Sequence, residues 1–405
     1  VRLDDIDVVS GAAYLDGPPH EQFSYLREHA PVFHQQVPDP ELVDEVWVLT
    51  RAAEVRQVSE DPDTFSSKPN VALRARQTDA GLRAAAGNFI NQDDPQHRRL
   101  RSMVAKAFTP RVVATFTEHY RALTADVIAK ALPQGEFDFV TEVAAELPLL
   151  AICELLGAPI SDRSRIFRWT NAILGSDDPE YGGGLEEAGR AIAELGRYAL
   201  ELADAKRAAP GDDIVSALAT APPGQRLSDP EYEGFILLLL LAGNETTRNN
   251  ISHGIVALTG HPEQLTTLRA DPERLNATVE EITRWASPVN FMSRTATRDT
   301  ELGGQRIRVG DRVAMFYSSA NRDPAMFPGG EVFDIGHRYD RHLAFGIGRH
   351  FCLGAHLARV ETRAVLAELM ATTDDIRVTG PVIRQQSSFL NGIKHLPVAV
   401  TPRTE

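Results

Sequence analysis

A chain of 405 residues, 43% apolar and 24% charged, has the balance of an ordinary globular protein, with no bias towards disorder or fibres. Its net charge of −14 argues against nucleic acid as a partner, and two cysteines support no disulfide framework, so a reducing, cytoplasmic setting is expected. The opening VRLDDIDVVSGAAYLDG lacks the basic-then-apolar order of a secretion signal, and no run of about twenty apolar residues follows, so no membrane anchor is expected.

Residues 42–50, LVDEVWVLT, carry the branched and aromatic residues of a strand, and a helix follows from Arg51 to near Asp61-Pro62. Residues 66–95 are interrupted by Pro69, Gly81, Gly87 and Pro95, which predicts a long loop with room for one short helix. Helical periodicity dominates 97–221, broken at Gly135, at 157–159 and at the glycine-rich DDPEYGGGLEE, which reads as a mobile loop. His97 and Arg101 lie four apart on the first of these helices. As an isolated pair they read most simply as an exposed helix face.

FILLLLLAGNETTRNN, 235–250, is apolar all round for nearly two turns, the mark of a helix buried in a large core. Glu245 and Thr246 then interrupt it, at a cost of several kcal/mol, roughly 2 to 7 for an unpaired polar group, unless pairing or function compensates. The competing structural reading is a helix that surfaces here, with Glu245 and Arg248 as a solvated i,i+3 pair. Glu281 and Arg284 share a face of a helix over 278–286, a weak signal alone, because most such pairs are solvent-exposed. Branched residues return over 307–319 and again over 376–402, so strand-like pieces lie on both sides of the helical block. The chain therefore reads as one intertwined domain over 1–405.

Between these runs lies FGIGRHFCLG, 345–354. One cysteine among glycines and aromatics reads as a thiolate ligand loop for haem iron: Gly346, Gly348 and Gly354 allow sharp turns and close backbone approach, and Phe345 and Phe351 limit water at the sulfur. A lone cysteine would otherwise be a small buried hydrophobe.

The loop, with Phe345, Gly346, Gly348, Cys352 and Gly354 in register, resembles the signature of the cytochrome P450 family. HRRLR at 97–101, AGNETT at 242–247 and the Glu281/Arg284 pair extend the likeness in order over most of the chain. The resemblance implies a mainly α fold with a smaller β portion, a triangular helical prism around a buried haem. It implies a monooxygenase that inserts one oxygen atom from O2 into a C–H bond, with haem b bound through Cys352 and electrons from ferredoxin and ferredoxin reductase. His97, Arg101, Arg294 and His350 match propionate contacts. Ala242 and Gly243 lie beside the haem, Gly243 loosening the helix for dioxygen, while Thr246 relays protons and Glu245 links the relay to solvent. Glu281 and Arg284 form a buried network that positions the cysteine loop. The family usually places arginine at the position of His337, and Arg338 follows, so either neighbour could complete that network.

The residues implied to face the substrate are Leu238, Leu239, Val289, Phe291, Met292, Phe389 and Leu390, an apolar set suited to a hydrophobic ligand, with core packing as the other role for Phe291 and Phe389. AGNETTRNNISHG, RTATRDTELGG and SSFLNGIKHLPV resemble the actinobacterial branch that hydroxylates terminal methyls of sterol side chains and methyl-branched lipids. A macrolide or polyketide substrate, a peroxygenase and a haem-based sensor are the alternatives. Arg98, Arg99, Lys106, Arg341, Arg349, Arg359 and Arg363 form a candidate basic dock for an acidic ferredoxin, or ordinary solvated cations.

Overall fold

A computed structural model describes residues 1–75, 77–85, 87–339 and 341–403. Helices dominate, as the periodicity predicts, and a smaller β portion is assembled from distant parts of the chain. The five-stranded sheet takes Val32–Gln36, Glu45–Leu49, Arg312–Phe316, Phe291–Ala296 and Phe65–Ser66 in that spatial order. Glu45–Leu49 pairs in parallel with Arg312–Phe316, and the other pairings are antiparallel. A three-stranded sheet joins Glu136–Asp138, Pro397–Pro402 and Thr373–Val378, so the end of the chain closes on its middle.

The strand expected over 42–50 is shorter, Glu45–Leu49, and Leu42 instead bridges to Arg74. The strand expected over 307–319 is corrected: Gln305–Ile307 belongs to a separate hairpin, Arg312–Phe316 pairs in the main sheet, and Tyr317–Ala320 turns into a helix. That turn buries Ser318, Ser319 and Ala320 behind the sheet, a demand of packing that a pattern of branched residues does not reveal. The loop over 66–95 holds one short helix, Asp79–Ala84, and a 3-10 turn, Phe89–Asn91.

The apolar run over 235–250 lies inside a 31-residue helix, Asp229–Thr259. Pro230 suits its first turn, and the Glu231 carboxylate accepts the Ser228 N–H at 3.0 Å, satisfying a donor that a helix start leaves free. Leu237, Leu238, Leu239 and Leu240 pack with Ile152, Leu149 and Ile166 from neighbouring helices. Gly234 permits a close approach, because a Cβ there would lie 1.7 Å from the Ala84 carbonyl oxygen. Among the described residues, no helix is long and apolar enough to cross a membrane.

Candidate active site

Cys352 lies between a 3-10 turn, Gly348–His350, and the helix Ala355–Thr372. Its N–H donates to the Phe345 carbonyl at 2.8 Å, closing the loop on itself. Gly346 and Gly348 adopt φ of 67° and 71°, as expected for the sharp turns, and a Cβ on Gly348 would meet the Ser59 carbonyl at 2.7 Å. Gly354 departs from expectation: with φ −85° it needs no left-handed freedom, because it serves as the N-cap of the following helix. Burial pushes the Cys352 thiol up, while the Gly354 N–H, Arg101 and Arg359 favour the thiolate.

The loop is braced from the helix Leu275–Ala286. Glu281 and Arg284, each almost fully buried, pair through two bonds of 2.8 and 2.7 Å. Arg284 also donates to the carbonyls of Asn321, Gly330 and Val332, and Asn321 in turn accepts the Leu343 N–H at 2.6 Å, just ahead of the cysteine loop. His337 Nδ1 lies 3.3 Å from Glu281, whereas Arg338, among the described residues, donates to the carbonyls of Ile335 and His337 and not to Glu281. His337 therefore completes the network. Glu280, which sequence reasoning passed over, adds a second brace: it accepts two bonds from Arg359 and lies 3.3 Å from His342 Nε2. Adjacent acidic residues at 280 and 281 were the available signal.

Four cationic or imidazole side chains gather on the other side of the loop. His97 is buried, its ring 4.2 Å from that of His350, and its Nε2 has no hydrogen-bond partner among the described residues. His350 Nε2 lies 3.1 Å from Ser67 Oγ, and burial, reinforced by Arg294, His97 and Arg101, pulls its pKa down to about 2. Arg294 is buried, donates to the Ser293 carbonyl at 2.8 Å, and forms no ion pair among the described residues. Arg101 donates to the Phe351 carbonyl at 2.6 Å. An unpaired buried guanidinium and an orphaned imidazole nitrogen are costly unless an anion completes them. Beside a loop that presents a cysteine, these donors fit an iron porphyrin carrying two carboxylates.

The helix Asp229–Thr259 runs unbroken through Gly243. A Cβ at Gly243 would lie 3.2 Å from Ile152 Cδ1, so the glycine serves helix-to-helix contact. Ala242 is exposed and Thr246 half-buried on a helix otherwise enclosed, leaving one face of the turn uncovered. Thr246 Oγ1 donates to the Ala242 carbonyl at 2.7 Å. Glu245 points elsewhere: it pairs with Arg248, both side chains 1% exposed, and accepts from Thr170 at 3.5 Å. The solvated-pair reading is thus excluded by burial. Arg248 also donates to Asn171 at 3.0 Å, and burial raises the pKa of Glu245 against the pull of Arg248.

Two apolar segments expected to face substrate meet directly, through a bridge between Val289 and Leu390 and a bond from the Asn290 N–H to the Phe389 carbonyl at 2.9 Å. Leu238 and Leu239 are buried in the helical core and Met292 is half-buried. Phe291, cross-strand from Phe316, packs its ring tilted against that of Phe316 and edge-on to Phe389. A surface groove of about 440 Å³ lined by His34, Trp47, Asp311 and Arg312 involves none of these residues.

The family described as Cytochrome P450 matches residues 206–372. The chain is 43% identical over 386 residues to a methyl-branched lipid omega-hydroxylase of Mycobacterium tuberculosis, covering 93% of this chain and 90% of the relative. It is 40% identical over 401 residues to a steroid C26-monooxygenase of Rhodococcus jostii, covering 97% and 84%. A Mycobacterium marinum cytochrome P450 solved in complex with pseudoionone superposes with a TM-score of 0.91 at 36% identity, covering 98% of this chain and 99% of that one.

Proposed function

The chain belongs to the cytochrome P450 family, and from that premise we propose that it hydroxylates the terminal methyl of a methyl-branched lipid or sterol side chain, with electrons from a ferredoxin and its reductase. It is an oxygen-incorporating oxidoreductase and its cofactor is haem b. Held by a cysteine thiolate, that haem supplies dioxygen activation by favouring cleavage of the O–O bond.

Within this reading, Cys352 is the iron ligand, and the two braces on its loop keep the sulfur in one place while Phe345 limits water around it; Phe351, expected to share that role, is exposed. His97, Arg101, Arg294 and His350 hold the propionates. Thr246, on the uncovered face of the distal helix, holds and passes protons, and its carbonyl-bound hydroxyl must turn to do so. Glu245 sits one residue away in a buried pair with Arg248, so proton supply through it requires that pair to open. Val289, Met292, Phe389 and Leu390 offer apolar contact to the substrate, with the Val289–Leu390 bridge holding two wall segments in register.

The substrate class rests on one observation above the rest: relatives at about 40% identity over nearly the whole chain are named for terminal oxidation of branched lipids and steroids. Of the cations in the candidate dock, Arg98 and Arg349 are paired with Asp94, Arg99 with Glu231 and Arg359 with Glu280, while Lys106 and Arg363 make no ion pair among the described residues.

The experiment is a spectral titration of the purified holoprotein with methyl-branched fatty acids, sterols, terpenoids and macrolides, followed by product analysis with ferredoxin and reductase or with peroxide. Tight binding and ω-oxidation of a branched lipid or sterol with the reductase system is expected. Preference for a macrolide, or turnover supported only by peroxide, would overturn the proposal.

A further inference from the structure

We propose that Asp94 is a positioning residue of the haem site, fixing the His97 ring so that capture of a propionate at Nε2 is coupled to uptake of one proton. This rests on the reading that Cys352 and His97 hold haem b.

One carboxylate serves three partners. Asp94 Oδ1 lies 3.4 Å from His97 Nδ1 and accepts the Arg98 N–H at 3.2 Å, while Oδ2 accepts from the Arg98 and Arg349 guanidinium groups, each at 3.0 Å. Arg349 stands three residues before Cys352, so Asp94 ties the start of the helix Gln96–Val104 to the cysteine loop. The His97 ring is held as well as bonded: it is 4% exposed, with the ring of Phe89 at 6.1 Å and that of His350 at 4.2 Å.

The chemistry follows from which nitrogen carries the proton. Against a carboxylate, the neutral ring keeps its hydrogen on Nδ1 and presents a lone pair at Nε2. A second carboxylate cannot bond to a lone pair. For Nε2 to donate to a propionate, the imidazole must take one proton from solvent and become imidazolium, with no electron transferred. The charged and titratable groups facing the ring are Asp94 from the approach to its helix, Arg101 one turn on, and Arg349 and His350 from the cysteine loop. Burial, with Arg101 and Arg349, lowers the pKa of the ring against the pull of Asp94. A propionate reverses that balance, because the ring then lies between two anions.

Proton uptake on binding makes haem affinity fall as pH rises, by up to about tenfold per pH unit between the free and bound pKa values of the ring. The test is the rate of haem transfer from the ferric holoprotein to excess apomyoglobin between pH 6 and 8.5, in wild type, Asp94→Asn and His97→Phe. Wild type is expected to lose haem progressively faster as pH rises. In Asp94→Asn the slope is expected to flatten, since an amide can present N–H to Nδ1 and so admit the neutral Nε2–H tautomer. His97→Phe keeps an aromatic ring between Phe89 and His350 and is expected to be flat, with no further change when Asp94→Asn is added. A wild-type slope retained in both variants overturns the role of Asp94 while leaving the haem assignment standing. A wild-type holoprotein without thiolate-ligated haem overturns the reading beneath it.

Discussion

Glu280 Oε1 accepts Arg359 Nε at 2.5 Å, and Oε2 of the same carboxylate lies 3.3 Å from His342 Nε2, so one side chain binds both flanks of the stretch that carries Cys352. Arg359 in turn covers the Phe345 ring at 4.5 Å. Burial alone would raise the pKa of Glu280, but the bonds from Arg359 and His342 hold it at about 2. A carboxylate depressed from 4.5 stabilises the fold fully above pH 4.5 and loses that contribution as pH falls towards 2. Because the side chain is 43% exposed, the contribution is discounted to about 1 kcal/mol. Glu280→Gln should therefore be less stable than wild type by that amount at pH 7, with a smaller gap at pH 3.5 in denaturant titrations. The same variant should lose the thiolate-specific band of its reduced carbon monoxide complex sooner on storage. A gap independent of pH would contradict the electrostatic brace.

Glu361 shows the opposite sign. Its side chain is 2% exposed, Oε2 has no partner, and burial raises its pKa to about 8. The folded state then holds a proton that the unfolded chain releases above about 4.5, so stability declines as pH rises from 4.5 to 8, by up to about 1.4 kcal/mol per pH unit. Glu361→Gln cannot ionise. It should match wild type near pH 5 and exceed it at pH 8.5 in thermal melts, and identical pH profiles would refute the assignment.

The Glu281–Arg284 pair is buried and multiply bonded, so removing one partner strands the other. Glu281→Gln or Arg284→Ala should cost about 3 to 5 kcal/mol. Arg284→Lys should recover little, because a single ammonium cannot reach Glu281 and the carbonyls of Asn321, Gly330 and Val332 together. Holoprotein yield and denaturation midpoints check this, and wild-type stability in the lysine variant would show that the carbonyl contacts are dispensable.

Thr246→Ala removes a hydroxyl from the uncovered face of the distal helix without altering the fold around it. Reductant consumption should continue while product per electron falls several-fold, about 1 kcal/mol in partitioning. Unchanged coupling would remove Thr246 from proton delivery. The paired measurement on Glu245→Gln tells whether the buried carboxylate supplies protons or merely balances Arg248.

Much of the site was legible because its signals are local. The cysteine, its neighbouring glycines and the aromatic pair lie within ten residues, and their turn geometry follows from backbone preferences that travel with the sequence. The long apolar helix was legible for the same reason, since burial on every side leaves no polar face to conceal. Gly243 was less legible, because a glycine in a helix can mark a loosened turn or a close contact, and the neighbouring Ile152 comes from a helix far away in the chain.

Sequence alone was enough to find the tight turns around Cys352, the long buried helix and the acid-arginine pair at 281 and 284, because each depends on residues near one another along the chain. Tertiary structure decided that His337 rather than Arg338 reaches Glu281, that Glu245 is locked to Arg248 and Thr170, and that Asp94 and Glu280 hold the cysteine loop from outside. Those choices turn on distance between segments far apart in the chain. A charged side chain commits to whichever partner the packing brings within about 3 Å, and no spacing along the chain encodes that.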